Sequence, residues 1–178
     1  MERGMFLDRD GVINEVLSDR VKFVNRPEDF YLLDGVGEAI KRFNEAGFKV
    51  FVVTNQGGVG LGFMEESALQ DVHNKMEDDL AHYGASIDAV AYCPHKPHAK
   101  CACRKPMPQM ILDLADNHDI DLSESYMVGD RVPDIEAGKK AGTKTVLISD
   151  REKDKADADM YFPDLISVAV WLSDLDDQ

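Results

Sequence analysis

The sequence predicts an α/β protein with a Rossmann-like, three-layer fold around a central, mostly parallel sheet. Two observations predict it. Short apolar runs alternate with helical patterns along the chain, and polar, chemically reactive residues follow the apolar runs. The chain has 178 residues, of which 44% are hydrophobic and 30% are charged. That size and composition predict one globular domain over residues 1–178, with no linker or repeat dividing it.

In the first half of the chain, short apolar runs predict buried strands, and apolar residues that recur every three or four positions predict helices. Val36, Ile40 and Phe43 have the helical spacing, and Gly47 is the stop signal for that helix. The predicted elements are, in order, a strand at Met5–Leu7, a helix from Val36 to Phe43, a strand at Phe48–Val53, a helix over roughly 65–83 and a strand from Ile87 to Tyr92.

The same two patterns continue through the second half. Gly142 is the stop signal for one of its helices, and we expect the acidic end of the chain, Ser173–Gln178, to be frayed. The predicted elements are a helix marked by Met110, Ile111 and Leu114, a strand at Tyr126–Val128, a helix from Ile135 to Ala141, a strand at Thr145–Ile148, an edge strand near Ala158–Tyr161 and a helix carrying Leu165, Ala169 and Leu172.

Charge narrows the classes of partner. Lys and Arg number 20 against 34 Asp and Glu, which gives a formal net charge of -14. A field of this sign repels nucleic acid and anionic membranes, so we expect neither as a partner. No apolar stretch approaches the roughly 20 residues of a membrane span, and the N-terminus turns acidic too early for a secretory signal. We therefore expect a cytoplasmic protein.

Polar residues follow the predicted strands at one rim of the sheet. Asp8 and Asp10 follow the first strand, Thr54 and Asn55 the second, Cys93 and His95 the third, and Asp130 the fourth. Because ligands bind at the carboxyl ends of parallel strands, we expect these side chains to surround one pocket. Each motif alone is as well explained by a solvated turn, but four strand exits that all deliver such residues favour a functional site.

The residue types suit phosphoryl transfer. Carboxylates supply the oxygen ligands that Mg²⁺ prefers, and converging carboxylates would repel one another without a cation. Lys105 provides a positive charge for an anionic group, as does Arg104 before it, and Thr54 and Asn55 offer hydroxyl, amide and backbone N–H groups for phosphate oxygens. The candidate Mg²⁺ ligands are Asp8, Asp10, Asp130 and Asp134.

These motifs resemble the haloacid-dehalogenase-like (HAD-like) phosphatase superfamily. The resemblance is carried, in order along the chain, by Asp8–Val12, Thr54–Gln56, Arg104–Pro106 and Gly129–Arg131 with Asp134. It implies a Mg²⁺-dependent phosphoric monoester hydrolase in which Asp8 is the nucleophile and Asp10 is the general acid and then the general base. It also implies that Mg²⁺ is bound by Asp8, by Asp10 through its backbone carbonyl and by Asp130, while Asp134 supports these ligands without binding the ion. Finally, it implies that Lys105 acts in catalysis and that the substrate is bound by Thr54, Asn55, Gln56, Arg104 and Lys105.

All three cysteines lie within one short loop, about 93–103. Cys93, His95, Cys101 and Cys103 form a Cys-x-His-x5-Cys-x-Cys pattern, which provides three thiolates and one imidazole for a closed, tetrahedral, structural Zn²⁺ site. A turn with free, reduced cysteines is the alternative. With zinc bound, the loop would position Arg104 and Lys105, and little room remains for a large cap domain.

The cysteine loop is similar to that of two groups within the superfamily, the D-glycero-D-manno-heptose 1,7-bisphosphate 7-phosphatases and the histidinol-phosphatase domains. The segments Val24–Phe30 and Ser125–Asp130 look closer to the heptose group, whereas the five-residue gap between His95 and Cys101 is the histidinol length. We expect a monomer that removes the C7 phosphate of the heptose bisphosphate, a small phosphorylated metabolite. Histidinol phosphate is the alternative substrate, and a non-catalytic, zinc-stabilised binding module is the alternative from another class.

Overall fold

The computed structural model describes residues 1–178. Six strands form a single sheet in the order β3-β2-β1-β4-β5-β6, and every neighbouring pair is parallel. The predicted Rossmann-like α/β class is confirmed, and the sheet is wholly parallel. The strands are β1 Arg3–Leu7, β2 Phe48–Asn55, β3 Ala89–Cys93, β4 Tyr126–Gly129, β5 Lys144–Ile148 and β6 Met160–Phe162.

Five helices cover the two faces of the sheet. They are α1 Val36–Glu45, α2 Glu66–Ala81, α3 Gln109–His118, α4 Val132–Ala141 and α5 Leu165–Asp176, with short 3-10 turns at Pro27–Asp29 and Leu122–Glu124. A core of 26 buried residues joins one face to α1, α2 and α5, and a core of 12 joins the other to α3 and α4. Side chains along β1 and β2 alternate between the two cores, as the period of a strand requires. No helix is both long and apolar enough to cross a bilayer.

Element boundaries differ from prediction at the end of the chain. The expected edge strand near Ala158–Tyr161 pairs with β5 only over Met160–Phe162, because Asp159 bonds to Thr145 of β5 through the Asp159 carboxylate and the Thr145 hydroxyl and not through paired backbone groups. The acidic end was expected to be frayed, and this was wrong for most of it, since α5 continues to Asp176. Asp164 caps the N-terminus of α5 by accepting a hydrogen bond from the backbone N–H of Ser167. Adding residues to a helix that has already formed costs little free energy, so α5 continues through the acidic residues.

The order of the strands fixes where a ligand can bind. The chain winds outward from β1 in one direction through β2 and β3, and from β4 in the other through β5 and β6, so the topological switch lies between β1 and β4. In such sheets the crevice at the carboxyl ends beside the switch is the usual ligand site. The segment between β1 and α1, residues 8–35, contains only loops and one 3-10 turn, so no large cap domain covers that crevice.

Candidate active site

Asp8 and Asp130 leave the two strands that flank the switch point. Leu7 is in register with Val128, and the backbone N–H of Asp8 donates to the carbonyl of Val128 over 3.0 Å. Gly11 turns the chain away from β1 with φ of 87°, and a Cβ there would lie 2.1 Å from Asp130 Oδ2. A left-handed glycine therefore lets the two carboxylates come together.

Lys105 lies beneath these carboxylates and is almost fully buried, with 4% exposure. Its Nζ donates to Asp8 Oδ1 over 2.8 Å, to Asp134 Oδ1 over 2.6 Å and to the carbonyl of Val53 over 2.7 Å. All three ammonium protons have partners, so the cation occupies one defined position. Burial acts to lower the pKa of Lys105, but the carboxylates of Asp134 and Asp8 outweigh it and raise the pKa above its usual value.

One lysine does not balance the negative charge of this cluster. Burial, and then the Asp134 carboxylate, raise the pKa of Asp8 well above its ordinary value. Burial and Asp134 likewise raise the pKa of Asp130 to about 6. Carboxylates with raised pKa values are short of positive charge, and a bound divalent cation would supply it.

The same residues fit a cation by geometry. Oxygen atoms of Asp8, Asp130 and Asp134 lie within 4.8 Å of one another, and Asp130 Oδ1 is buried without any hydrogen-bond partner. A buried, unpartnered carboxylate oxygen is costly unless something binds it. Hard oxygen ligands of this kind suit Mg²⁺, so the donor set fits the ion that the sequence predicts.

Both carboxylate oxygens of Asp134 accept hydrogen bonds from other residues of the protein. Oδ1 accepts from Lys105, while Oδ2 accepts from the backbone N–H groups of Asp130 and Arg131 at 3.2 and 3.1 Å. A Cβ at Gly129 would lie 2.1 Å from the Asp134 Cβ, so the close approach requires glycine there. This arrangement suits the supporting role expected for Asp134, because its lone pairs already hold Lys105 and the turn that carries Asp130.

Asp10 lies beside the cluster in a different environment. Oδ1 accepts from Arg9 Nε at 3.1 Å, Arg9 Nη2 at 2.8 Å and Asn14 Nδ2 at 2.9 Å, and Oδ2 accepts from Gln56 Nε2 at 3.2 Å. Burial acts to raise the pKa of Asp10, but the Arg9 guanidinium and these hydrogen bonds outweigh it and lower the pKa. Asp8 and Asp10, two residues apart, therefore carry pKa shifts of opposite sign.

The residues at the end of β2, Thr54 and Asn55, do not both face the pocket as the sequence suggested. Asn55 Nδ2 donates to the Lys105 carbonyl at 3.1 Å, and Asn55 Oδ1 accepts from the Lys105 N–H at 2.9 Å, so this amide is used to hold the backbone of Lys105. Thr54 is 1% exposed and its hydroxyl accepts from Gln56 Nε2. Gln56 thus bridges Thr54 and Asp10. The side chains of Thr54 and Asn55 position neighbours here, and Gln56 and Asn55 reach the cavity wall.

A cavity of about 1060 Å³ opens above the carboxylates. Its base carries the four acidic residues that line it, namely Asp8, Asp10, Asp130 and Asp134, with Lys105 among them. The charged side chains of the outer wall are all cations. These are Lys22, Lys100, Arg104, Arg131 and Arg151. A protein of net charge -14 therefore presents a positive entrance to its acidic cavity floor.

The cysteine loop brings its four predicted ligands together. The donor atoms of Cys93, His95, Cys101 and Cys103 lie within 4.8 Å of one another. His95 Nδ1 is 3.3 Å from Cys93 Sγ and 3.2 Å from Cys103 Sγ, and Cys93 Sγ is 3.5 Å from Cys101 Sγ. Three sulfurs and one nitrogen at these separations have the donor chemistry and compactness of a tetrahedral Zn²⁺ site. The carbonyl of His95 also accepts from Arg104 Nη1 at 3.3 Å, which links the cluster to the cavity.

Sequence reasoning missed two kinds of residue. Arg9 is completely buried beside Asp10 and contacts His73 of α2. Its position inside the Asp-Arg-Asp motif was the available signal, but arginine is rarely buried. Lys22 and Arg151, which belong to the cationic wall, lie in loops without any motif and gave no signal at all.

Comparison with known proteins identifies the family. A model described as HAD-hydrolase-like matches residues 102–172. The chain is 40% identical to a D-glycero-beta-D-manno-heptose-1,7-bisphosphate 7-phosphatase of Bordetella bronchiseptica over 144 residues, covering 81% of this chain and 79% of the relative. It is 33% identical to the enzyme of that name from Pseudomonas aeruginosa over 171 residues, covering 93% of this chain and 94% of the relative.

Solved structures agree. The crystal structure of D,D-heptose 1,7-bisphosphate phosphatase from B. bronchiseptica, complexed with magnesium and phosphate, superposes with a TM-score of 0.89 at 36% identity and covers 97% of this chain and 99% of that one. The corresponding enzyme from Burkholderia thailandensis gives a TM-score of 0.72 at 28% identity, with the same coverage of each chain. The resemblance that the motifs predicted is confirmed. The chain is a HAD-like phosphatase and belongs to the D-glycero-beta-D-manno-heptose-1,7-bisphosphate 7-phosphatase family.

Proposed function

We propose that the protein is a Mg²⁺-dependent phosphatase that removes the C7 phosphate of D-glycero-D-manno-heptose 1,7-bisphosphate through an aspartyl-phosphate intermediate. The observation that carries the choice of substrate is the separation of charge within the cavity. Carboxylates and Lys105 line the floor, and the five other cations line the outer wall. A substrate with two phosphates, one at each end of a sugar, fits that pattern, with the reacting phosphate on the floor and the second phosphate at the wall.

The charge pattern disfavours histidinol phosphate. That substrate carries one phosphate, an ammonium group on the carbon next to the phosphate-bearing carbon, and an imidazole at its far end. It therefore has no second anion for the five cations of the outer wall, and an imidazolium there would meet like charge. The outer wall thus favours a bisphosphate over this monophosphate.

Asp8 and Asp130, with the backbone carbonyl of Asp10, would hold the Mg²⁺ ion. The bound ion would neutralise phosphate oxygens and so lower the repulsion between a carboxylate nucleophile and an anionic substrate. Lys105 adds a second positive charge at a fixed position beside Asp8, and Asp134 and Asn55 hold Lys105 there. Arg131 extends from the turn that carries Asp130 and would meet the substrate outside the metal site.

The reaction proceeds in two steps. A carboxylate oxygen of Asp8 attacks phosphorus, the bond between phosphorus and the C7 oxygen breaks, and Asp10 donates a proton to the departing sugar oxygen. In the second step Asp10 takes a proton from water, the water oxygen attacks the phosphorus of phospho-Asp8, and inorganic phosphate leaves. One carboxyl serves both steps because its protonation state alternates.

The free protein holds Asp10 in its ionised form, since its pKa is lowered. A phosphate monoester has a second pKa near 6, so its monoanion carries a proton into the site. Lys105 and a bound Mg²⁺ would lower the pKa of this phosphate, and the phosphate charge would raise the pKa of Asp10, which together favour transfer of the proton to the Asp10 carboxylate. The substrate itself thus protonates Asp10, which can then act as the general acid. Once Asp10 has given this proton to the leaving group, it is ionised and can act as the general base that activates water.

The zinc loop acts in this scheme by position alone. Zn²⁺ with four protein ligands has no open coordination site, so it binds no substrate. It would keep the segment 101–105 folded, and this segment carries Arg104 to the outer wall and Lys105 to the floor. A monomeric, cytoplasmic enzyme acting on a small phosphorylated metabolite remains our prediction for its state and partners.

The test is release of phosphate in the presence of Mg²⁺, measured for heptose 1,7-bisphosphate and for histidinol phosphate at matched concentrations. We expect kcat/KM to be at least about 100-fold higher for the bisphosphate, since losing the charge-assisted contacts of the second phosphate costs about 3 kcal/mol or more. ³¹P NMR of the product identifies the phosphate that remains, which we expect on C1. Equal rates, or a preference for histidinol phosphate, would overturn the choice of substrate.

A further inference from the structure

Arg9 connects the active site to α2. It is 0% exposed, and its guanidinium has three of its five N–H groups engaged, two with Asp10 Oδ1 and the third, on Nη1, with His73 Nε2 at 3.1 Å. A buried guanidinium is held in place by the sum of its hydrogen bonds. The direction of the Asp10 carboxylate therefore depends on an acceptor that lies 64 residues away along the chain.

The position and environment of His73 allow it to accept this hydrogen bond. It lies on the buried face of α2 with 4% exposure, and its ring is 6.2 Å from that of Tyr92 on β3. A guanidinium can only donate, so His73 Nε2 accepts and the ring proton is on Nδ1. Burial and the Arg9 charge lower the pKa of His73 to about 4, which keeps the imidazole neutral and able to accept.

The contacts distinguish the two oxygens of Asp10. Oδ1 accepts three hydrogen bonds, two of them from a cation, whereas Oδ2 accepts one long hydrogen bond from Gln56. A proton binds the oxygen with the fewest donors around it, so the acidic proton of Asp10 belongs on Oδ2. The side chain of Asp10 is 29% exposed and lines the cavity, where a leaving group would accept that proton.

We infer that His73 is a positioning residue for acid–base catalysis, which acts through Arg9 to aim Oδ2 of Asp10 at the leaving oxygen. The inference rests on the proposed function, in which Asp10 is the general acid. Without an acceptor at position 73, the buried Nη1–H of Arg9 has no partner and the guanidinium must turn to find one. Asp10 turns with it, because two of the three donors to Oδ1 belong to the same planar guanidinium.

The experiment compares His73→Leu with His73→Gln. Leucine is close to histidine in volume and has no acceptor, whereas glutamine places an amide oxygen near the position of Nε2. His73→Asn, whose amide is one methylene too short, provides a second variant that lacks the contact. Thermal melting selects the variants that fold, and kcat/KM is measured with Mg²⁺ for two substrates, heptose 1,7-bisphosphate and p-nitrophenyl phosphate.

The two substrates separate positioning from general damage. A sugar alkoxide needs a proton to leave and nitrophenolate does not, and kcat/KM reports the step in which the leaving group departs. We expect His73→Leu and His73→Asn to lower kcat/KM for the bisphosphate about 30-fold, a part of the effect of a general acid. For p-nitrophenyl phosphate we expect a loss below about threefold, and we expect His73→Gln to restore most of the bisphosphate activity.

Each outcome decides the inference. Equal losses on both substrates, no loss on either, or a glutamine variant as poor as leucine would overturn it while the proposed function stands. If the wild-type protein hydrolyses neither substrate, the proposed function itself fails and takes the inference with it. A selective loss on the bisphosphate that glutamine repairs supports the chain of contacts from His73 through Arg9 to Asp10.

Discussion

Two clusters of side chains that could hold a metal ion lie at the carboxyl edge of the sheet, and they are built in opposite ways. The carboxylate cluster is buried, and Lys105 joins residues that are 97 and 29 positions away along the chain. The cysteine cluster occupies eleven residues of one loop and is partly exposed, and its four donors are close neighbours in sequence. The first consists of hard, charged oxygens and the second of soft sulfurs and one nitrogen.

The difference shows how each cluster depends on the fold. Sheet pairing brings Asp8 and Asp130 together whether or not an ion is bound, so their mutual repulsion is a cost that the rest of the fold carries. The loop has only a few residues to order it, so its ligands rely on the metal to hold it. We therefore expect loss of Mg²⁺ to remove activity and spare the fold, and loss of Zn²⁺ to loosen the structure around Lys105.

The largest effect should come from Asp8→Asn, which tests the carboxylate cluster directly. Without a nucleophilic carboxylate, kcat should fall by about 10⁴-fold or more. The same change removes one charge from a buried, mutually repelling group, so the metal-free protein should melt at an equal or higher temperature. Phosphate release and thermal melting in EDTA measure the two effects. A large loss of both activity and melting temperature would contradict the separation of site from fold.

The second prediction concerns the cysteine cluster. Cys101→Ser removes one of the four donors, and we expect kcat/KM to fall between about 10- and 100-fold because Lys105 and Arg104 lose their support. The melting temperature should fall too, in contrast to Asp8→Asn. Lys96→Ala is the matched control, since Lys96 is exposed in the same loop and outside the cluster. Zinc content is measured with inductively coupled plasma mass spectrometry. Wild-type activity in Cys101→Ser would contradict the prediction that the cysteine cluster supports Lys105 and Arg104.

The third prediction uses pH to measure the charge cost of the carboxylate cluster. The folded-state pKa of Asp130 is raised to about 6, so its contribution to stability is present below its unfolded pKa and is lost as pH rises through about 6. Between pH 4 and 7.5 in EDTA, the wild type should lose up to about 3 kcal/mol of unfolding free energy relative to Asp130→Asn. Urea titrations at several pH values measure the difference.

Magnesium supplies the control for that experiment. At saturating Mg²⁺ the pH-dependent loss in the wild type should shrink, because the cation favours the ionised carboxylates, while Asp130→Asn should respond much less. A pH dependence that Mg²⁺ leaves unchanged would place the cost elsewhere in the molecule.

The smallest effect should come from Arg104→Gln, which tests the role of Arg104 separately from that of Lys105. Arg104→Gln removes a cation of the outer wall while Lys105 stays in place, so KM for heptose 1,7-bisphosphate should rise about tenfold with kcat within about twofold. Lys140→Gln removes the same charge from the exposed surface of α4 and should change neither constant. If kcat falls with Arg104→Gln as far as it does with Cys101→Ser, the loop acts through Arg104 as well as Lys105.

The sequence was sufficient for those features that depend on strand ends. Asp8 and Asp130 follow buried apolar runs, and parallel strands must deliver such residues to one edge, so their meeting was predictable. The cysteine cluster was predictable for the opposite reason, because its ligands are too close in the chain to separate far. Neither inference needed the register of the sheet or the path of any loop.

What escaped prediction depends on side-chain direction. Asn55 is at the edge as expected, but whether its amide meets a ligand or the backbone of Lys105 is decided by the path of a loop 50 residues away. The burial of Arg9 could not be foreseen, because it requires His73 and Asp10 to enclose it from two elements. The cationic wall is assembled from several loops, so only the folded chain brings Lys22 near Arg151.

Asn55 and Lys105 are joined by a reciprocal pair of hydrogen bonds. One N–H and one carbonyl of Lys105 are matched by an amide at the end of β2, as a peptide group in an adjacent strand would match them. The Asn55 side chain thus holds the backbone of Lys105 as a neighbouring strand would, although Lys105 does not belong to a strand. We therefore expect that insertions or deletions among residues 96–100 would alter the length of the loop, and the spacing of the cysteines, without moving the ammonium group of Lys105.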